Sequence, residues 1–361
     1  MKKVMFLVSL VAMILVSCEK DTNETVLPDA QEIQVDMSDF FVYTDEPDNT
    51  AAKGPQGKSC ATMKVLNEKL RANPGLEQRM FNIEKHTRTF IASKKPDNPG
   101  GGNGGGGSGG GGGEDPPVDD GLGVINIPVV VHVIYNVNNP VENISAAQID
   151  SQIAILNADF NGTNSDVGGV PGEFASLVAD SDFNFTLADV IRVPSSRTSW
   201  GTNDAMKFSS NGGSDAVSPA TTLNMWVCNI GGGILGYAQF PGGNAATDGI
   251  VVSPQYFGNT GFVSAPFDKG RTTTHEVGHW LNLRHIWGDG RCNRDDFVAD
   301  TPTSDRPNYG CPGYPTVHCR SNDMTMNYMD YVNDECMYMF SNGQKQRMRA
   351  IFTPGGPRDS F

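Results

Sequence analysis

After residue 122 the chain alternates short apolar runs with amphipathic stretches. The run Ile127-Pro-Val-Val-Val-His-Val-Ile-Tyr135 is β-branched at almost every position, a composition suited to a strand buried on both faces. A helix is predicted from Ser145, an apt N-cap, because Ile149, Ile153, Leu156 and Phe160 recur behind it at helical spacing. Further strands are predicted at 183–187, 223–228, 236–240 and 249–253, with Gly231-Gly232-Gly233 opening a loop among them. Strands interleaved with helix predict a single α/β (α+β) domain over 122–361. Upstream, Met63, Leu66, Leu70, Met80, Phe81 and Ile83 predict one or two short helices between 60 and 93, broken at Asn73-Pro74-Gly75. A segment of this size cannot bury a self-sufficient core and must lean on another surface.

Residues 1–18 place two lysines before an apolar run and then small residues. This is the layout of a secretory signal peptide, and the run is shorter than the roughly 20 apolar residues a membrane span needs. It closes on Leu15-Val16-Ser17-Cys18, which resembles a bacterial lipobox and implies a lipid anchor at Cys18 in the precursor. Residues 19–99 divide into an acidic, aperiodic tether and the short helical segment. Twelve of the fourteen residues 100–113 are glycine, so 100–121 is a flexible linker. That tract accounts for much of the low apolar content, 38%. An exported chain is expected to form disulfides. With 27 Lys and Arg against 41 Asp and Glu the net charge is −14, which argues against a nucleic-acid partner held by bulk electrostatics.

The chemistry concentrates in Thr272-Thr-Thr-His275-Glu276-Val-Gly-His279-Trp-Leu-Asn282-Leu-Arg-His285. On a helix His275 and His279 are one turn apart on one face and can share a metal ion, while Glu276 reaches a water beside that metal rather than the metal itself. The threonines before His275 are expected to cap the helix. His285, six residues past His279, joins the other two only if the helix stops and the chain turns back. That turn needs a residue tolerant of positive φ, and Asn282 is the best non-glycine candidate. Three imidazoles with one open position form the catalytic rather than the structural zinc arrangement.

HEVGHWLNLRH resembles the metzincin motif H-E-x-x-H-x-x-G-x-x-H, with Asn282 in place of the glycine. Within that clan the chain resembles the pappalysin (cytophagalysin) family of secreted metalloproteases, through residues 127–136, 223–241 and Asn327-Tyr-Met-Asp-Tyr331. The resemblance implies a metzincin-type zincin fold, a catalytic Zn2+ on His275, His279 and His285, Glu276 as general base, and protein or peptide substrates. Met329 matches the methionine of the Met-turn beneath the histidines. Tyr331 matches the tyrosine that hydrogen-bonds the developing oxyanion. Asp334 matches an aspartate at the base of the pocket for the residue after the scissile bond, which implies cleavage on the amino side of Arg or Lys. A thermolysin-type zincin would need a distant glutamate ligand, against which His285 and the Met-turn speak. A catalytically dead metzincin scaffold serving as a surface binding lipoprotein is the alternative outside enzymes, and intact Glu276 speaks against it.

Six cysteines remain beside Cys18. Four, Cys292, Cys311, Cys319 and Cys336, follow the zinc motif and allow three pairings; the resemblance implies Cys292 with Cys319 and Cys311 with Cys336. Cys228 reads as an inert buried thiol. Cys60 has two readings. Its thiolate could fill the open metal position and make the segment 19–99 an inhibitory pro-segment, as in the cysteine-switch zymogens of the clan, or it could pair with Cys228. Cutting near Lys94, Lys95 or in the glycine tract would then release the enzyme. The acidic loop holding Asp295, Asp296, Asp300 and Asp305 suits a hard cation, and the resemblance implies structural Ca2+ there, with Asp296, Asp300 and Thr301 as its ligands.

Overall fold

The β-branched run forms β1 (Ile125–Asn136), the second strand of a five-stranded sheet in the order β2-β1-β3-β5-β4. β2 is Phe183–Ser195, β3 Leu223–Val227, β4 Gly236–Ala238 and β5 Ile250–Val252. All neighbouring pairs are parallel except β4 with β5, which leaves β4 as an antiparallel edge. The computed structural model describes residues 33–44, 60–94 and 119–361. The apolar run before Cys18, Cys18 itself, the glycine tract and Lys95 lie outside the described residues.

Alternation along β1 sorts its side chains onto two faces. Ile127, Val129, Val131 and Val133 join one core with Ile149, Leu156 and Phe160 of α3 (Ala146–Phe160) and Val277 and Trp280 of α4 (Arg271–Trp280). Ile134 joins Trp226, Tyr237, Val251 and Met206 in a second core on the other face. α3 starts where the sequence places it, with Ser145 Oγ accepting from the N–H of Gln148 at 3.1 Å. β2 runs on past 187 to Ser195: residues 186–189 are exposed, but Val190, Ile191 and Val193 beyond them are half-buried, with Val190 and Val193 packed against the two cores.

The upstream segment forms two helices, α1 (Thr62–Ala72) and α2 (Leu76–Ser93), separated at Asn73-Pro74-Gly75. Met63, Leu66, Leu70, Leu76 and Met80 gather with Val42 into a small core that closes on Phe240. α2 is fastened to α5 (Asn342–Ala350) by a buried ion pair, Glu84 Oε2 to Arg347 Nη2 at 2.5 Å, with Arg88 on the outer side at 2.7 Å. Burial works against the Glu84 charge, but Arg347 and Arg88 prevail and bring its pKa down to about 2. The ordinary glutamate value is 4.5, so the contribution of Glu84 to docking is complete above about pH 4.5 and is lost as the pH falls towards 2. Glu84→Gln leaves Arg347 buried without a counter-charge, which costs about 3–5 kcal/mol. Titration of the upstream piece onto the remainder, after a cut in the linker, is expected to show roughly 150- to 5,000-fold weaker binding at neutral pH, with the gap from wild type closing on acidification below 4.5.

Candidate metal centre

α4 opens at Gly270, whose φ of 75° is left-handed, and not with a threonine cap. Thr272, Thr273 and Thr274 lie inside the helix and are buried. The cap is supplied by Asp334: its Oδ2 accepts from the N–H groups of Lys269 at 2.9 Å and Arg271 at 3.1 Å, an anion set on the positive end of the helix. Thr274 is used instead in a buried network, where its hydroxyl donates to Asp159 Oδ2 at 2.8 Å and the Tyr328 hydroxyl donates to Oδ1 at 2.9 Å. Arg271 grips Asp166 with two bonds of 2.6 Å and stands 3.6 Å from Asp159. Burial raises the Asp159 pKa to about 6 against the pull of Arg271. This network ties α3, α4 and the turn at Tyr328 into one frame.

The helix stops after Trp280. Asn282 takes φ of 76°, the N–H of Leu283 donates to Gly278 O at 3.0 Å and that of Asn282 to His279 O at 3.0 Å. These two bonds make a Schellman ending with Asn282 in the left-handed position. The chain turns back there and brings His285 to the face of His275 and His279.

His275 Nδ1 lies 2.7 Å from Tyr328 O, and His279 Nδ1 lies 2.8 Å from Leu283 O. A carbonyl only accepts, so each Nδ1 carries the proton and each Nε2 is left as an acceptor. His285 Nδ1 meets Asp289 Oδ1 in the same way. Burial works against the charge on Asp289 and Arg284 works for it. The Nε2 atoms converge at 3.2 Å from His275 to His279 and 3.1 Å from His279 to His285. Lone pairs held this close repel unless a cation lies between them. Nitrogens each bound to one tetrahedral zinc stand roughly 3.3 Å apart, so the donor set fits that ion. The backbone carbonyls and Asp289 are the outer partners that orient such ligands.

Met329 lies under α4 at Gly278, where a Cβ would stand 2.5 Å from its Sδ; glycine at 278 is what lets the sulfur in. The turn is braced by Asn327, whose Oδ1 accepts from Met329 N at 2.9 Å and whose amide exchanges bonds of 2.8 and 3.1 Å with Gln344. Tyr331 packs edge-on to His285 and Trp287, both with ring centroids at 4.8 Å, and Trp287 stacks on His285 at 4.3 Å.

The upstream segment reaches the same atoms. Cys60 Sγ and the three histidine nitrogens all lie within 4.8 Å of one another. The Cys60 thiol is 3.5 Å from Glu276 Oε2, and the Thr62 hydroxyl donates to that oxygen at 2.8 Å. Thr62 Oγ1 also accepts from the N–H of Ala238 at 2.8 Å, and Ala61 N donates to Gly236 O at 3.0 Å, so the segment adds itself to the edge strand β4. Burial and Glu276 push the Cys60 thiol well up; a bound cation acts in the opposite direction. Cys60 and Cys228 are both free thiols, so the pairing considered for them is not formed. Cys228 is buried and its thiol is pushed up by that burial. The four downstream cysteines are joined as Cys292–Cys319 and Cys311–Cys336.

In the acidic loop, Thr301 Oγ1 donates to the buried Asp296 carboxyl, 2.8 and 2.9 Å from its two oxygens. Asp300 instead accepts from Ser341 Oγ at 2.6 Å and Gly343 N at 2.7 Å at the start of α5. Asp296 and Asp300 thus serve different partners. The sequence reading missed Asp289, legible only as an acid four residues past His285, and missed Asp159, which carries no local signal.

Residues 220–353 match the family model for peptidase M43, described as pregnancy-associated plasma protein-A. An extracellular metalloprotease of Arthroderma benhamiae is 34% identical over 218 residues, 56% of this chain and 65% of that protein. One of Arthroderma otae is 32% identical over 195 residues, 46% of this chain and 68% of that protein. The chain spans 55% of a third, extracellular metalloprotease 1 of Coccidioides posadasii, at 40% identity over 42% of its own length. Among solved structures, mature mirolysin of Tannerella forsythia with a cleaved peptide superposes with a TM-score of 0.64 at 45% identity, over 65% of this chain and 94% of that one. A mutant of promirolysin from the same organism superposes with a TM-score of 0.70 at 38% identity, over 84% of this chain and 96% of that one. The upstream helices, the twisted sheet and the histidine-bearing helix with its turned-back third imidazole are thus a metzincin-type arrangement, and the chain belongs to the peptidase M43 (pappalysin) family of metalloproteases.

Proposed function

We propose that the chain is an exported zinc metalloendopeptidase made as a zymogen, with residues 19–99 as its tether and inhibitory pro-segment. The observation that carries this reading is the convergence of the three imidazole Nε2 atoms beside Glu276. When bound there by His275, His279 and His285, zinc supplies Lewis acidity to the scissile carbonyl and lowers the pKa of water from 15.7 to about 7. Glu276 takes the proton of the attacking water and hands it to the leaving amine. Tyr331 donates its hydroxyl to the carbonyl oxygen as charge develops on it. Asp289 and the carbonyls of Tyr328 and Leu283 hold the imidazoles in the one tautomer that leaves Nε2 bare. In the zymogen the Cys60 thiolate would fill the open position beside the three histidines, and Thr62 engages the general base.

Asp334 gives the pocket after the scissile bond its negative charge and selects Arg or Lys, while also capping α4. Cys18 carries a lipid anchor in the precursor, and cutting near Lys94, Lys95 or in the glycine tract frees the enzyme. The buried Asp296, with Asp300 and Thr301, draws a structural calcium ion to the acidic loop.

The test is to activate the full chain by a cut in the linker, count its zinc, and map its cleavage sites on a denatured protein mixture by mass spectrometry. About one zinc per chain with cuts before Arg and Lys is the expected result. Zinc without cleavage overturns the reading in favour of a binding scaffold. Asp334→Asn keeps an oxygen for the N–H groups of Lys269 and Arg271 but removes the charge. It is expected to lower kcat/KM for cuts before Arg by about 30-fold or more, the worth of a desolvated charge pair, while cuts before uncharged residues change little.

A further inference from the structure

The pro-segment makes another polar contact on the cleft edge, away from the histidines. Lys69, on α1, sets its ammonium 2.7 Å from Asp204 Oδ2 and 2.7 Å from Gln239 Oε1. Both acceptors are held by residues outside the pro-segment. The other oxygen of Asp204 accepts from the buried Lys207 Nζ at 3.0 Å and from the Tyr237 hydroxyl at 3.1 Å, and Asp204 is only 6% exposed. The Gln239 amide is fixed at both ends: Nε2 donates to Asn244 O at 2.9 Å, and Oε1 accepts from Thr247 Oγ1 at 2.6 Å. Gly243 leaves the room for it, since a Cβ there would stand 2.5 Å from Gln239 Cδ. When α1 leaves, Asp204 Oδ2 loses its outer donor, but the contacts that aim it and Gln239 Oε1 at one point remain.

That point lies on the line a bound peptide would follow. Gln239 directly follows β4, and its N–H continues the strand by donating to Gly249 O at 3.0 Å. Cys60, at the metal position, bridges to Gly236 on the same edge. Three extended residues separate the two positions, roughly 10 Å.

We propose that Asp204 and Gln239 form a cation-binding subsite of the substrate cleft, filled by Lys69 in the zymogen and by a lysine or arginine side chain of the substrate in the active enzyme. It rests on the peptidase reading and is separate from Asp334, which lies at the start of α4. A carboxylate oxygen and an amide oxygen with fixed orientation suit an ammonium or guanidinium, and a charge-assisted bond in a half-closed site is stronger than a neutral one.

The test uses the full chain cut in the linker, with the pro-segment piece removed and zinc loaded. Peptides sharing one scissile pair carry lysine or norleucine at each position up to four residues on either side. One position two to four residues from the cut is expected to favour lysine by about tenfold in kcat/KM, through KM, with the preference narrowing in 1 M salt. Asp204→Asn is expected to erase the preference; should the buried Lys207 make that variant unstable, Gln239→Met is expected to reduce it, because one of the two oxygens is lost while the Asp204 charge stays. Equal cleavage of lysine and norleucine peptides at every position overturns the proposal. Cleavage of neither peptide would instead overturn the peptidase reading, and calorimetry then decides the subsite. The pro-segment piece with Lys69→Met should bind the metal-free remainder about tenfold more weakly than the wild-type piece, and the difference should shrink once Gln239→Met is present. Equal binding of the two pieces to the unaltered remainder overturns the subsite.

Discussion

Glu276→Gln is expected to lower kcat/KM for peptide cleavage by about 10²- to 10⁴-fold, the range for losing a positioned general base. The metal content and melting temperature should stay close to wild type. The reason lies in how the side chain is placed. Glu276 is fully buried on α4 between His275 and His279. Its Cγ and Oε1 lie against Gly236 of β4, where a Cβ would stand 3.0 and 3.1 Å from them. Glutamine has the same shape, fills the same slot and still offers one oxygen to Thr62, so packing and the zymogen contact survive. What it cannot do is take a proton at that oxygen. Activity within tenfold of wild type, measured on activated protein with metal counted, would remove Glu276 from the proton path and leave the three imidazoles without a base. Loss of metal along with activity would mean that the residue positions the ligands instead.

Much of this centre was legible in the sequence because its logic is local. Two histidines four apart need only a helix, and a third six residues on needs only a turn that Asn282 supplies through its positive φ. The β-branched run of β1 announced a doubly buried strand in the same way. What was not legible depends on residues far apart in the chain. The start of α4 is set by Asp334, sixty-three residues downstream of Arg271, so the nearby threonines misled a purely local reading. Thr274 is spent on Asp159, which sits 115 residues earlier on α3. The Nδ1 partners of His275 and His279 are backbone carbonyls, to which any residue type contributes equally. The extent of β2 escaped notice because the exposed residues 186–189 and a shift of register against β1 interrupt its apolar pattern before Val190.

Cys60 and Thr62 are expected to hold latency by two different routes, and separating them gives the second large effect. In the uncut chain, Cys60→Ala should raise hydrolysis of a quenched peptide by on the order of 10²-fold or more. It removes a thiolate from the metal position, and each 1.4 kcal/mol of lost docking is a factor of ten. Full activity is not expected, because the Thr62 hydroxyl still donates to Glu276 Oε2 and still accepts from Ala238 N. Thr62→Val removes the hydrogen bond to a buried carboxylate and leaves the Ala238 N–H without its partner. A charged hydrogen bond contributes about 1.5–3 kcal/mol, so basal activity should rise by roughly 10- to 100-fold with Cys60 intact, and Thr62→Ser should restore latency. The double variant should exceed both single variants yet stay below the linker-cut enzyme with its upstream piece removed, because Ala61 N still donates to Gly236 O on β4 and Lys69 still pairs with Asp204. If Thr62→Val is as silent as wild type while Cys60→Ala alone is fully active, the general base is not restrained in the zymogen and latency rests on the metal position alone. If Cys60→Ala stays silent and Thr62→Val opens the enzyme, the thiol is a bystander beside three histidines and the block acts through Glu276.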